Sequence, residues 1–154
     1  MKTFSQLIKE CQKTVKELMP WDLEKQLESD TPPLIIDVRE PQEYNAMHIE
    51  NSTLVPRGIL ETACEYGFEE TIPSLVEARE KPIVLVCRSG NRSLFAAQTM
   101  QIMGYQQVYS LMTGLRGWND YELALIDSEN KTVDIDDADI FFESRVSDDQ
   151  LPPK

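Results

Sequence analysis

The chain has 154 residues with 41% hydrophobic content, three cysteines, one histidine and a formal net charge of −12. That length suits one domain with a real core plus extensions. No apolar run approaches a membrane span, and the acidity argues against nucleic acid, whose binders present basic surfaces. An odd cysteine count suggests no disulfide framework, and without Cys-x-x-Cys or a second histidine neither a metal nor a cofactor is expected.

The first ten residues are broken by charges and lack a signal peptide's continuous apolar stretch, so a cytoplasmic protein is expected. Phe4, Leu7, Ile8, Cys11, Val15 and Leu18 recur at helical spacing and predict an amphipathic helix over 3–16. A short strand is expected over 17–19, then a helix opened by Pro20 that carries Leu23 and Leu27. Leu34-Ile35-Ile36-Asp37-Val38 reads as a buried parallel strand. Pro41 suits a helix start, with Gln42 to Ala46 continuing it, and Thr53-Leu54-Val55 reads as a short strand ended by Pro56. Ile72, Leu75 and Val76 give the apolar side of a helix over 69–79. Residues 83–86 form the central strand. A helix carrying Leu94, Ala97 and Met100 to Met103 follows, with Gly104 as its stop. A strand over 107–111 and a helix over 115–125 come next. The alternation implies an α/β fold, a parallel sheet with helices on both faces and ligands at the carboxyl ends of the strands, where Cys87 falls.

Composition changes after Leu125. Residues 127–149 hold nine acids against Lys131 and Arg145, a net −7. Two readings stay open: a solvated acidic tail, or a segment that docks through Val133, Ile135, Ile140, Phe141 and Phe142 on the domain or on a partner. Domain organisation is accordingly an N-terminal helical extension (1–18), a core domain (19–125) and an acidic C-terminal extension (126–154).

The run Val84-Leu85-Val86-Cys87-Arg88-Ser89-Gly90-Asn91-Arg92-Ser93 carries the chemistry. An apolar strand ends on a cysteine, and a short loop leads into a helix. Such a loop directs backbone N–H groups at the sulfur, and the helix dipole adds to their field. That environment favours a thiolate, the nucleophilic form. Gly90 can take positive φ and let the loop curl back. Arg88 and Arg92 add fixed positive charge suited to an oxyanion. The expected site is Cys87 as nucleophile in an anion-binding cradle of Arg88, Ser89, Gly90, Asn91 and Arg92. The plainer readings are a small core cysteine at a strand end, or a loop that binds an anion without chemistry.

This loop, together with Asp37-Val38-Arg39-Glu40-Pro41-Gln42-Glu43-Tyr44, His48-Ile49 and Thr113-Gly114-Leu115-Arg116-Gly117-Trp118, resembles a single-domain rhodanese, a sulfurtransferase. The matches run in the family's order from about Met19 to about Leu125. The resemblance implies a Cys87 persulfide that carries sulfane sulfur from thiosulfate or a persulfide donor to cyanide or a thiol. Four residues separate Cys87 from Arg92, and phosphatases of related fold have one more and a wider cradle, so the shorter loop resembles the sulfurtransferase form. In thiosulfate-using members the residue after the cysteine is often basic, which points Arg88 at thiosulfate oxygens. Asp37 and Arg39 match the family's Asp-x-Arg and read as a structural ion pair. Arg57 belongs to a segment that passes near the loop in this family, and His48 matches a packing residue. Cys64 reads as structural, with a resolving role as the alternative. The expected partners are a small anionic sulfur donor such as thiosulfate and, in an alternative reading, a sulfur-carrier protein in a relay. A non-catalytic regulatory or partner-binding domain is the reading from a different class.

Overall fold

In the computed structural model, which describes residues 1–154, five parallel strands form one sheet in the order β1-β5-β4-β2-β3. They are β1 (Lys16–Leu18), β2 (Leu34–Asp37), β3 (Thr53–Leu54), β4 (Pro82–Val86) and β5 (Gln107–Leu111). The helices are α1 (Phe4–Cys11), α2 (Pro20–Leu27), α3 (Pro41–Ala46), α4 (Leu60–Ala63), α5 (Pro73–Val76), α6 (Asn91–Ile102), α7 (Gly114–Asp120) and α8 (Ile135–Phe142). Strand alternation divides the core in two. Ile36, Ile83, Leu85 and Cys87 enter one apolar cluster with Leu94, Ala97 and Met100 of α6, and Cys11 of the additional N-terminal helix α1 joins it. Ile35, Val84, Val86 and Leu111 enter the other, with Leu23, Leu115, Trp118 and Phe142. Both faces of a parallel sheet are thereby covered, as its apolar strands require. No helix is long and apolar enough to cross a membrane.

Several helices are shorter than their periodicity predicts, for local reasons. After Cys11 the last turn of α1 tightens to i−3 bonds (Lys13 N–H to the Glu10 carbonyl, 3.2 Å; Thr14 N–H to the Cys11 carbonyl, 3.1 Å), and β-branched Thr14 and Val15 lead into β1, paired with β5. The helix expected over 69–79 is only Pro73–Val76, since Pro73 holds its first turn and keeps Ile72 extended (φ −110°, ψ 99°). α7 ends at Asp120 because Glu122 takes a left-handed conformation (φ 58°). The short helix α4 ends at its cap residue Cys64, and the 3-10 turn before it, Arg57–Ile59, has no counterpart in the sequence reading.

The acidic segment after Leu125 packs back on the sheet. Ile126 pairs antiparallel with His48, whose ring stacks on Tyr44. Asp134 caps α8 by accepting from the N–H groups of Asp136 and Asp137. Of the five apolar residues expected to dock, Phe142 is 1% exposed and Val133 is half-buried, whereas Ile140 is 53% exposed and Ile135 and Phe141 also face solvent. Ala138, which the sequence reading overlooked, is fully buried.

Candidate active site

β4 delivers Cys87 to the carboxyl end of the sheet, and α6 begins four residues later. Gly90 adopts φ +92° and lets the loop double back on the sulfur. The Gly90 N–H then points at Cys87 Sγ (3.1 Å), as does the Ser93 N–H (3.3 Å) from the first turn of α6. The Ser93 hydroxyl also lies 3.3 Å from the sulfur and 2.7 Å from the Ser110 hydroxyl on β5. Cys87 itself is nearly closed off from solvent. Backbone donors, a hydroxyl relay and a helix N-terminus therefore converge on one sulfur, an arrangement able to stabilise negative charge there.

A second loop holds the first from behind. The N–H groups of Leu115 and Arg116 donate to the carbonyls of Cys87 (2.8 Å) and Arg88 (3.0 Å). That approach requires Gly114: a Cβ there would sit 2.5 Å from the Cys87 carbonyl oxygen, at φ +61°. Ser93, Ser110, Gly114 and Glu43 were not singled out as site residues in the sequence. Ser93, Gly114 and Glu43 lie inside the motifs that carry the resemblance, and Ser110 lies outside them.

The two loop arginines have different surroundings. Arg92 makes a two-pronged pair with Glu43 of α3 (2.8 and 2.7 Å). Burial alone pushes the Glu43 carboxyl up, but the Arg92 hydrogen bonds, the Glu40 backbone contact and the charges of Arg92 and Arg39 together hold it below the usual carboxylate range. Glu43 in turn raises Arg92. Arg88 points the other way and donates to the Phe142 carbonyl at the end of α8. Ser89, exposed, and Asn91, partly buried, complete the loop with no side-chain hydrogen bond.

The remaining sequence candidates lie around this centre. Asp37 and Arg39 form a fully buried pair (2.8 Å), and Arg39 also donates to the Met47 carbonyl (2.7 Å), while its Nη1 has no partner. Arg57 is tied to Glu61 (2.9 Å) and to Thr99 of α6 (3.1 Å), so its guanidinium is engaged away from the loop. Cys64 is buried beside Tyr105 and Arg79, and desolvation raises its thiol. Burial, with the Cys64 contact second, also pushes Tyr105 up. Those surroundings suit a packed, inert thiol.

The site and fold define a class. The family model for the rhodanese-like domain matches residues 19–121. This chain belongs to that family, whose named members here include sulfurtransferases. It is 31% identical over 105 residues to the Bacillus subtilis (strain 168) protein named "Putative sulfur carrier protein YrkF", covering 68% of this chain but about half (51%) of that protein. It is 31% identical over 103 residues to a fission yeast protein, Schizosaccharomyces pombe "Putative thiosulfate sulfurtransferase, mitochondrial", with 65% of this chain and 72% of that one aligned. Among solved structures, a Rhodopseudomonas palustris CGA009 protein of unknown function, titled "Possible Tyrosine Phosphatase", superimposes with TM-score 0.68 at 28% identity, over 79% of this chain and 92% of that one.

Proposed function

We propose that Cys87 takes a sulfane sulfur from a small anionic donor such as thiosulfate, holds it as a persulfide and hands it to a thiophilic acceptor. The Cys87 thiolate attacks the outer sulfur of thiosulfate. The S–S bond breaks and sulfite leaves with the electron pair. Cyanide or an acceptor thiolate then attacks the terminal sulfur and restores the Cys87 thiolate, a two-step covalent cycle. The observation that carries this reading is the convergence of the Gly90 and Ser93 N–H groups and the Ser93 hydroxyl on Sγ. Those donors suit the anion on either sulfur of the persulfide. The four-residue spacing from Cys87 to Arg92 supports sulfur over the larger phosphate group. A relay that receives sulfur from a protein uses the same cysteine, and the sulfur-carrier name of the Bacillus relative favours it as the second reading.

Intact-mass measurement tests the assignment. Thiosulfate should add one sulfur atom to the protein, and cyanide should remove it as thiocyanate. Cys87→Ser should abolish both, whereas Cys64→Ser and Cys11→Ser should retain them. Sulfur uptake that survives Cys87→Ser would overturn the reading.

A further inference from the structure

The C-terminal segment lies outside the matched domain, yet one of its carbonyls holds a residue of the catalytic loop. The end of α8 has a need of its own. The last carbonyls of a helix lack partners within it and form the negative pole of its dipole. α8 has no basic residue in its last turn, and its cap residue, Glu143, is an acid. Arg88, the residue after Cys87, meets that need from outside by donating to the Phe142 carbonyl. The cavity that Arg88 borders is otherwise lined only by residues between 141 and 150, so the guanidinium is turned toward this segment and away from Sγ.

Phe142 is firmly anchored. Its ring is buried in the cluster that holds Val86, Leu111 and Leu115. Val86 precedes Cys87, and the Leu115 N–H donates to the Cys87 carbonyl (2.8 Å). α8 is also tied to α7, because Asn119 donates to the Ile135 carbonyl (3.2 Å) and to Asp139 (2.7 Å). Residue 88 is therefore held twice, its carbonyl by the Arg116 N–H (3.0 Å) and its guanidinium by α8. Two positions on is Gly90, whose N–H points at Sγ (3.1 Å). A donor stabilises charge on the sulfur only while its aim is fixed, and both holds act on the backbone that sets this aim.

We propose that Arg88 is a positioning residue that acts through α8. The C-terminal segment is a second clamp on the catalytic loop, and Arg88 keeps the loop N–H groups aimed at Cys87 instead of binding the donor. The proposal rests on the sulfur-transfer reading above for what the loop does, but the aim of the N–H groups can be measured without it.

Two measurements on the full chain separate a positioning Arg88 from one that binds donor oxygens. The first is alkylation of Cys87 by iodoacetamide, followed by peptide mass across pH. Arg88→Ala should move the profile up by at least about 0.5 pH unit, because misaimed donors stabilise the thiolate less. Arg88→Lys, which keeps the charge and a donor, should recover part of that shift. Asn119→Ala loosens α8 without changing any charge and should move the profile the same way, as should Phe142→Ala where it folds. Arg88→Ala combined with Asn119→Ala should shift it no further than Arg88→Ala alone. The second measurement is turnover of thiosulfate with cyanide. Arg88→Ala should lower kcat at least about threefold and change KM less than about twofold. A loss that falls on KM alone assigns Arg88 to the donor and overturns the proposal. So does a profile unmoved in Arg88→Ala, or unmoved in Asn119→Ala when hydrogen exchange shows α8 open. Alkylation that shifts as expected, in a protein whose Cys87 takes no sulfur from thiosulfate, overturns the sulfur-transfer reading and leaves the positioning role standing.

Discussion

Glu43 does two things to Arg92. Its paired oxygens fix the guanidinium plane against the loop, and they neutralise the charge nearest to α6. The positive field at Cys87 Sγ then comes mainly from oriented backbone N–H groups, which need no counter-ion and cannot swing away. The pair has a definite pH signature. Glu43 has a folded-state pKa below its ordinary value, so its contribution to stability is complete above the unfolded value of about 4.3 and is lost as pH falls through the folded one. Both partners are partly open to solvent, which limits the contribution to about 1 kcal/mol. Urea unfolding of wild type and Glu43→Gln should therefore differ by a constant amount from about pH 8 to pH 5, and the gap should close on acidification below about pH 4. A gap undiminished at pH 3 would assign the effect to packing rather than to the ion pair.

At the scale of elements, the site is a joint between β4, α6 and the start of α7. The α7 N-terminus clamps the carbonyls of Cys87 and Arg88, and only glycine at position 114 lets it come that close. Gly114→Ala should cost more than about 1 kcal/mol, from the left-handed backbone plus the displaced carbonyl, and should lower the rate of sulfur uptake at least about tenfold. Gly58→Ala, where a Cβ meets nothing within 4 Å, is the matched comparison and should change neither the melting temperature nor the uptake rate. The strand–loop–helix unit at 82–102 is legible in the sequence because all of its signals are local: an apolar run, a glycine needing positive φ, and a helix start. Strands β2 and β4 are legible for the same reason, as nearly continuous apolar runs. Contacts between distant segments were not. Nothing local tells Glu43 that it will face Arg92, 49 positions away, or that Ser110 will hold the Ser93 hydroxyl. Helix ends were misjudged where a single backbone event outweighs periodicity, as Pro73 and Glu122 do. The docked face of α8 was obscured because it is built from Ala138, Phe142 and an Asn119 side chain bonded to the Ile135 carbonyl and to Asp139, not from an apolar stripe.

Across the whole molecule, a segment of net charge −7 lies on a body that is itself net negative. Long-range electrostatics therefore oppose this docking, and short-range contacts must overcome them. The contacts are there: Phe142 buried among the side chains of α7 and the sheet, Asn119 bonded to α8, Ile126 paired with His48, and Arg88 on the Phe142 carbonyl. Raising salt from 10 to 150 mM shortens the screening length from about 30 to about 8 Å, which weakens the repulsion and leaves the buried contacts nearly untouched. Salt should thus stabilise the folded protein, the reverse of what a tail held by opposite charges would show. Phe142→Ala should cost about 3–5 kcal/mol, the range for emptying a buried aromatic site, whereas Ile140→Ala at a half-exposed position should stay within about 0.5 kcal/mol. Denaturant melts of both variants at the two salt concentrations separate the terms. A Phe142→Ala protein as stable as wild type, or a wild type destabilised by salt, would mean that the acidic segment is held on by charge and not by its buried ring.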